Sequence, residues 1–155
     1  MSLAGLAILA ALGALAACGR DLPTAAVVPL GLPALPVPPD APLQRARVEL
    51  GRTLFMDRRL SHNNTQSCGM CHVPEQGFTS NELGTAIGLE GQTIRRNSPT
   101  IFNVAYVEQL FHDGREFSLE NQAWGPLLAG NEMANPSIGY VVEKIRALPE
   151  YAGRF

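Results

Sequence analysis

The sequence carries little charge of either sign. Charged residues make up 17% of the 155 residues, the formal net charge is -2, and Lys144 is the only lysine among 12 cationic side chains. A nucleic-acid-binding domain needs a clustered basic surface, so we expect no nucleic-acid partner. Hydrophobic residues make up 46%, which excludes a chain that is disordered along its whole length.

The sequence also lacks any useful length of the apolar–polar alternation that is typical of a β-strand, and it has no internal repeat. Helical spacing does occur. Apolar residues from Leu43 to Leu54 predict a helix that begins near Asp40–Pro42 and ends near Met56–Asp57. We therefore expect an all-α fold.

Two serines predict further helices in the second half of the chain. Ser118 is suited to cap a short helix that runs through Trp124. Ser137 is suited to cap a clearer amphipathic helix that Pro149 ends. Between them and the first helix, residues 57–98 show little periodicity. Such a long irregular stretch is rare in a compact domain, so something other than a protein core must organise it.

The first 19 residues contain no charged side chain. Their apolar run is marginal for a membrane span, which needs about 20 residues, and fits a signal peptide better. It ends in Leu15-Ala16-Ala17-Cys18, similar to a bacterial lipobox, so we predict a lipoprotein signal at 1–17 with lipid attached to Cys18. An ordinary secretory signal with an incidental Cys18 is the alternative. Both predict export from the cytoplasm to the periplasm, and the lipoprotein signal also predicts membrane contact, through a lipid anchor only.

Proline is concentrated in the next segment. Seven of the 12 prolines lie between Pro23 and Pro42, with almost no charge among them. Proline fixes φ and favours an extended polyproline-like chain, so residues 18–42 are predicted to be a semi-rigid tether. A plain disordered arm is the alternative. The folded domain is then expected at 43–155.

The irregular stretch contains the motif Cys68-Gly69-Met70-Cys71-His72. This is C-x-x-C-H, the attachment signature of c-type haem. Two thiols one turn apart suit addition to the same porphyrin edge, and His72 would be the proximal ligand of the haem iron. A zinc site would require further Cys or His ligands, and none occurs at a suitable spacing. A redox dithiol would require a βαβ context, which the sequence does not predict. The motif therefore predicts one covalent haem c.

A haem of this kind either carries electrons or does chemistry, and the sixth iron ligand decides which. Met70 lies inside the attachment loop and cannot reach the opposite face. The loop from Gly77 to Asn97 contains no His, Met or Lys. Met133 and His112 both stay candidates for the sixth position, and His62 is expected on a surface loop.

From Glu49 to Phe155 the chain resembles the N-terminal half of the bacterial di-haem cytochrome c peroxidase and MauG family. The resemblance is carried by Leu50-Gly51-Arg52, Leu54-Phe55, Asp57-Arg58-Arg59-Leu60-Ser61, the haem motif, Arg96-Asn97-Ser98-Pro99-Thr100, Asp113-Gly114-Arg115, Leu119-Glu120, Gln122, Pro126 and Glu132-Met133. It implies a loop-rich, cytochrome c-like domain that holds the peroxidatic haem.

The resemblance also implies a function. The domain would reduce hydrogen peroxide to water with electrons from a small donor protein, such as a cytochrome c or a cupredoxin. Glu132 would be the acid–base residue, Gln122 would hydrogen-bond the peroxide oxygens, and Pro126 would form a rigid wall. Asn97 matches a position associated with calcium. The alternatives are an electron-transfer cytochrome c, a MauG-like oxidase of a protein partner, a solvated loop position for Glu132 and a turn role for Asn97.

Three departures from the family pattern bear on these expectations. The second haem domain has no counterpart here, so we expect a truncated or split protein that lacks its C-terminal haem partner and the electron supply which that partner provides. His112 stands at the inter-haem position where many members carry tryptophan; a structural hydrogen-bonding role is its alternative. The loop 77–97 lacks the displaceable histidine of classical members, which favours an open site. Trp124, the only tryptophan, is expected to pack rather than relay electrons.

Overall fold

The computed structural model describes residues 28, 30–39 and 42–155. Helices α1 (Arg45–Met56), α2 (Cys68–Cys71), α3 (Leu119–Leu128) and α4 (Ile138–Arg146) form the framework of this part. Shorter 3₁₀ turns lie at Arg58–Leu60, Pro74–Gln76, Leu89–Gly91, Val104–Tyr106 and Pro149–Tyr151. The described residues form isolated β-bridges but no strand. The expected all-α, loop-rich fold is confirmed, and the predicted signal segment with Cys18 lies outside the described residues.

Helix α1 begins at Arg45, a few residues later than the sequence predicts, and ends at Met56 as predicted. Its buried residue Leu50 faces the core. The end of the helix packs against α2, where a Cβ on Gly69 would lie 2.6 Å from the Met56 sulfur. A side chain at position 69 would therefore require the flexible end of Met56 to move.

Both predicted serine caps are confirmed. The Ser118 hydroxyl accepts a hydrogen bond from the Asn121 amide, and the Ser137 hydroxyl accepts one from the Tyr140 amide, each at 3.1 Å. The predicted end of α3 at Trp124 is wrong, because the helix continues to Leu128 through Pro126.

Pro126 removes only one helical hydrogen bond, the one to the carbonyl of Gln122. The next turn closes normally, since the Ala129 amide donates to the Gly125 carbonyl at 3.0 Å. The Pro126 carbonyl in turn accepts a hydrogen bond from the Met133 amide at 3.1 Å. This bond ties the helix to the loop that follows it.

The buried apolar side chains come from all parts of the domain. They are Leu50, Leu60, Ala86, Leu89, Ile94, Leu110, Met133, Val141 and Tyr151. Residues 57–98 contribute several of them while forming only the single turn of α2 and short 3₁₀ turns. The expected irregular stretch is thus confirmed, and it packs into the core rather than lying outside it.

A polar network joins the end of α1 to the C-terminal turn. The Asp57 carboxylate accepts a hydrogen bond from the Arg59 guanidinium at 2.7 Å and one from the Tyr151 hydroxyl at 2.6 Å. The Arg59 hydrogen bond, with help from Tyr151, lowers the pKa of Asp57 to about 2. Burial, followed by the bond to Asp57, raises the pKa of Tyr151 to about 12.

Part of the proline-rich segment lies against the domain. Residues 30–39 form no helix, and their Leu32 and Leu35 are half-buried. The Tyr106 hydroxyl donates a hydrogen bond to the Pro33 carbonyl at 3.0 Å. Among the described residues, no helix is both long enough and apolar enough to span a bilayer.

Candidate functional site

Helix α2 consists of the C-x-x-C motif itself, so its two thiols lie one helical turn apart. Both cysteines are unpaired and half-buried. The His72 amide donates to the Cys68 carbonyl at 2.9 Å, which closes the turn. Burial raises the pKa of both thiols, and the negative charge of Glu132 contributes to this rise at Cys71. The thiols are therefore protonated at neutral pH and placed for addition to one edge of a flat ligand.

The geometry of His72 leaves one ring nitrogen available for a metal. Nδ1 lies 3.1 Å from the Phe78 carbonyl oxygen. Because a carbonyl only accepts hydrogen bonds, Nδ1 must carry the proton, and Nε2 then presents a lone pair. A second hydrogen bond that fixes the tautomer in this way is usual for metal-ligating histidines. Two thiols and one oriented imidazole are the donor set for haem c, so these residues fit the cofactor.

The Phe78 carbonyl is held in place by a tight turn. The Val73 and Thr79 backbones pair through a hydrogen bond of 3.1 Å, and the Phe78 amide donates to the Val73 carbonyl at 2.8 Å. Gly77 in this turn has a φ of +74°, which favours glycine. The Ser98 hydroxyl donates to the Cys71 carbonyl at 2.5 Å, so the attachment motif is fixed from both sides.

Glu132 lies on the loop that follows α3 and is half-buried. Within the described part of the chain, its carboxylate takes part in no hydrogen bond or ion pair. Burial raises the pKa of Glu132, and the nearby positive charge of Arg115 opposes this rise. The negative charge of Glu132 also contributes to the raised pKa of Cys71 in the attachment motif, which lies 60 residues away in the sequence.

Gln122 and Pro126 are four residues apart on α3 and share one face of that helix. Both are half-buried. Phe111 packs on the same helix, where a Cβ on Gly125 would lie 2.7 Å from the tip of its ring, and the Arg115 guanidinium stacks 3.5 Å from the Phe111 ring centroid. The aromatic ring thus places a cation beside the helix that leads to Glu132. Trp124 is half-buried in the same helix.

His112 and Asn97 form a structural pair on the surface. The Nε2 atom of His112 lies 3.0 Å from the Asn97 carbonyl oxygen. The Asn97 amide nitrogen donates to the Ser80 carbonyl at 2.5 Å, and its Oδ1 accepts from the Ser98 amide at 3.0 Å. The described residues contain no group of three or more His, Cys, Asp or Glu side chains that could hold a metal ion. Calcium at Asn97 stays a prediction.

Met133, the other candidate for the sixth iron ligand, and His62 lie in different environments. Met133 is buried, and its backbone is held by Pro126 on one side and by the His62 amide, at 2.8 Å, on the other. His62 itself is exposed and packs against Tyr140, with ring centroids 5.7 Å apart. The expected surface position of His62 is confirmed.

The sequence reasoning missed a short hairpin at residues 86–94. Its ends pair at Ile87 and Thr93, and the Gly88 amide donates to the Gln92 carbonyl at 2.8 Å. The Leu89 amide donates to the Glu132 carbonyl at 3.2 Å. The glycines at 88 and 91 were the only sequence signal for this turn.

A cleft of about 470 Å³ opens beside this hairpin. Its walls include Met70, Leu83, Ile87 and Gln66, but neither thiol, His72 nor Glu132. None of the predicted site residues lines this cleft.

Comparison with known proteins identifies the family of this chain. The family model for di-haem cytochrome c peroxidase matches residues 45–155. A methylamine utilization protein MauG from Methylorubrum extorquens is 40% identical over 121 residues, covering 78% of this chain and 34% of that protein. The cytochrome c peroxidase Ccp of Escherichia coli is 36% identical over 123 residues, covering 79% of this chain and 26% of that protein.

Solved structures also resemble this chain in fold and in sequence. A MauG-like protein associated with microbial copper homeostasis superposes with a TM-score of 0.73 at 32% identity, covering 83% of this chain and 38% of that one. The di-haem peroxidase BthA from Burkholderia thailandensis superposes with a TM-score of 0.65 at 31% identity, covering 77% of this chain and 35% of that one. The chain spans about a third of the length of the relatives it matches. From residue 45 onward, this chain belongs to the di-haem cytochrome c peroxidase family.

Proposed function

We propose that residues 43–155 form a haem c domain that reduces hydrogen peroxide to water. When bound, haem c supplies the redox chemistry that this reduction needs. Cys68 and Cys71 would hold it covalently, and the Nε2 atom of His72 would bind its iron. The observation that carries the proposal is the bond from His72 Nδ1 to the Phe78 carbonyl, beside two unpaired thiols one turn apart.

Glu132 would be the acid–base residue of the domain. A half-buried carboxylate without a hydrogen-bond partner among the described residues is free to accept a proton from peroxide and to return it. Burial raises its pKa, which brings the group closer to neutral pH and favours transfer in both directions. Gln122 and Pro126, on one face of α3, would orient peroxide and limit its space.

The contact of His112 argues against this residue as the sixth ligand of an electron carrier and leaves Met133 as the other candidate. The Nε2 atom of His112 already faces the Asn97 carbonyl at 3.0 Å. The choice between peroxide reduction and the MauG-like oxidation of a protein partner depends on the electron source. We propose a cytochrome c or cupredoxin as donor, a second haem domain as partner, and a periplasmic, lipid-anchored location on the sequence alone.

The substitution Glu132→Gln tests the acid–base role. We expect it to lower the second-order rate constant for reaction with peroxide by about 10²–10⁴-fold, the usual contribution of a positioned proton-transfer group. The acid limb of the wild-type pH profile should disappear with it, since the base that must be deprotonated is gone. Stopped-flow kinetics on the exported, haem-loaded chain would measure both effects.

Glu108→Gln, which changes an exposed carboxylate, is the matched control and should keep the wild-type rate. Covalent haem content should be equal in all three proteins. A wild-type rate in Glu132→Gln would contradict the acid–base role. A low-spin ferric spectrum that peroxide leaves unchanged would contradict the peroxidase assignment as a whole.

A further inference from the structure

We propose that Gly88 is a positioning residue for Glu132, because its missing side chain lets the 86–94 hairpin close on the loop that carries this carboxylate. The inference rests on the acid–base role proposed above. Gly88 itself makes no hydrogen bond to the haem motif or to the Glu132 carboxylate, and the carbonyl of its neighbour Ile87 lies 3.8 Å from the Cys71 sulfur.

The contact between Gly88 and the Glu132 loop leaves no room for a side chain. A Cβ on Gly88 would overlap the carbonyl oxygen of Asn131 and lie 3.0 Å from its carbonyl carbon. On the other side it would lie 3.3 Å from a methyl group of Ile94. Asn131 would be met at its backbone, which cannot swing aside as the end of a long side chain can. Any side chain at 88 must therefore push the hairpin and the loop apart.

Backbone freedom is not the reason for glycine at this position. Gly88 has a φ of -91° and a ψ of -156°, an extended conformation that alanine also adopts. Substitution by alanine thus changes the available space and leaves the local conformation accessible. Gly88→Ala therefore tests the steric contact with the Asn131 backbone separately from any change in backbone conformation.

The hairpin holds the residue Glu132 directly. The Leu89 amide donates to the Glu132 carbonyl at 3.2 Å, and the Leu89 side chain is buried. Two backbone bonds stiffen the hairpin: Gly88 to Gln92 at 2.8 Å, and Ile94 to Ala86 at 3.3 Å. A shift of the hairpin at Gly88 is therefore transmitted to the backbone from which the carboxylate projects.

The other end of the hairpin is attached beside the haem motif. The side-chain amide of Gln66 donates to the Ile87 carbonyl at 2.7 Å. Gln66 is buried and lies two residues before Cys68. The hairpin thus links the segment before helix α2 to the loop that carries Glu132. It therefore fixes the distance between the Glu132 carboxylate and the haem-attachment motif.

The first test compares Gly88→Ala with Gly84→Ala in the haem-loaded full chain. Gly84 lies in the same loop region and has open space around its Cβ position, so it is the matched control. A misplacement of about 1 Å can cost about 100-fold in rate, so we expect Gly88→Ala to lower the peroxide rate constant by about 10- to 100-fold. Gly84→Ala should keep the wild-type rate. Equal rates for the two variants would overturn the proposal.

A double-mutant cycle separates positioning from general damage. In a Glu132→Gln background, Gly88→Ala should lower the rate no further, because there is no carboxylate left to misplace. Additive losses would overturn the proposal. If Glu132→Gln alone had no effect, the proposed function would fail instead, whereas an effect of Glu132→Gln with none of Gly88→Ala would remove only the present inference.

Amide hydrogen exchange supplies a readout that does not depend on activity. Exchange at Leu89 should be faster in Gly88→Ala than in wild type or Gly84→Ala, because its bond to Glu132 is stretched. Unchanged protection at Leu89 would contradict the mechanism. If Gly88→Ala fails to fold, Gln66→Met provides the second variant. It replaces Gln66 with a side chain of similar length, removes the hydrogen bond to Ile87 and should lower the rate only while Glu132 is present. A rate loss of equal size in the Glu132→Gln background would again overturn the proposal.

Discussion

The Asp57 carboxylate shows how one residue links the end of α1 to the C-terminal turn. It is engaged by Arg59 and Tyr151, and its pKa of about 2 lies below the value of about 3.9 for an unfolded aspartate. A carboxyl group whose pKa is lowered on folding stabilises the protein at pH values above the pKa that this group has in the unfolded chain. That stabilisation is lost as the pH falls from about 4 through about 2.

We therefore expect Asp57→Asn to reduce the free energy of unfolding by about 2 kcal/mol at pH 7, with a difference from wild type that shrinks as the pH falls from 4 to 2. Urea denaturation at several pH values would measure it. Asp113→Asn is the control, since Asp113 is exposed and its ion pair with Arg115 is solvated. A difference between Asp57→Asn and wild type that is independent of pH would contradict the assignment.

The site residues differ in how easily they can be predicted from the sequence. Cys68, Cys71 and His72 are adjacent in the chain, so their spacing alone carries the chemistry. The proposed role of Gly88 depends on its missing side chain, and Phe78 contributes its backbone carbonyl. Because every residue has a backbone carbonyl, the residue type at position 78 does not indicate this role. The closeness of Glu132 to Cys71 comes from tertiary folding, and only the family resemblance pointed to it.

The helices follow local rules and were largely predictable. Ser118 and Ser137 cap α3 and α4 as side chains of their type do. The error at Trp124 arose because Pro126 usually ends a helix, whereas here the tertiary contact from its carbonyl to Met133 supports another turn. Helix α1 begins later than predicted, at Arg45, and its N-cap residue Gln44 makes no side-chain cap bond.

The cap of α4 gives a prediction for this element. Ser137→Ala should cost about 1 kcal/mol of unfolding free energy, because the Tyr140 amide loses its acceptor. Ser137→Asp keeps an acceptor and should retain most of the stability. Denaturation midpoints of the two variants would test this. Equal losses in both would indicate that the hydroxyl stabilises the helix in some other way.

At the scale of the whole molecule, the buried apolar side chains are few for a domain of this length. The described part of the chain buries nine of them, while Phe102 and Phe117 expose 60% and 70% of their surface. Burial of apolar surface is the main stabilising term in folding. We therefore expect a domain with so many loops to depend on the additional apolar surface that a porphyrin would provide.

The double variant Cys68→Ala, Cys71→Ala tests this dependence on the cofactor. Without thioether attachment, the exported domain should lose its cooperative thermal transition and gain binding of an apolar dye, because the haem surface no longer completes the core. Calorimetry and dye fluorescence would measure these changes. Met70→Ala is the control, since Met70 lies inside the motif but its side chain is exposed and it should attach haem normally. A haem-free double variant that unfolds cooperatively at the wild-type midpoint would show that the protein core suffices, and the porphyrin would then serve chemistry alone.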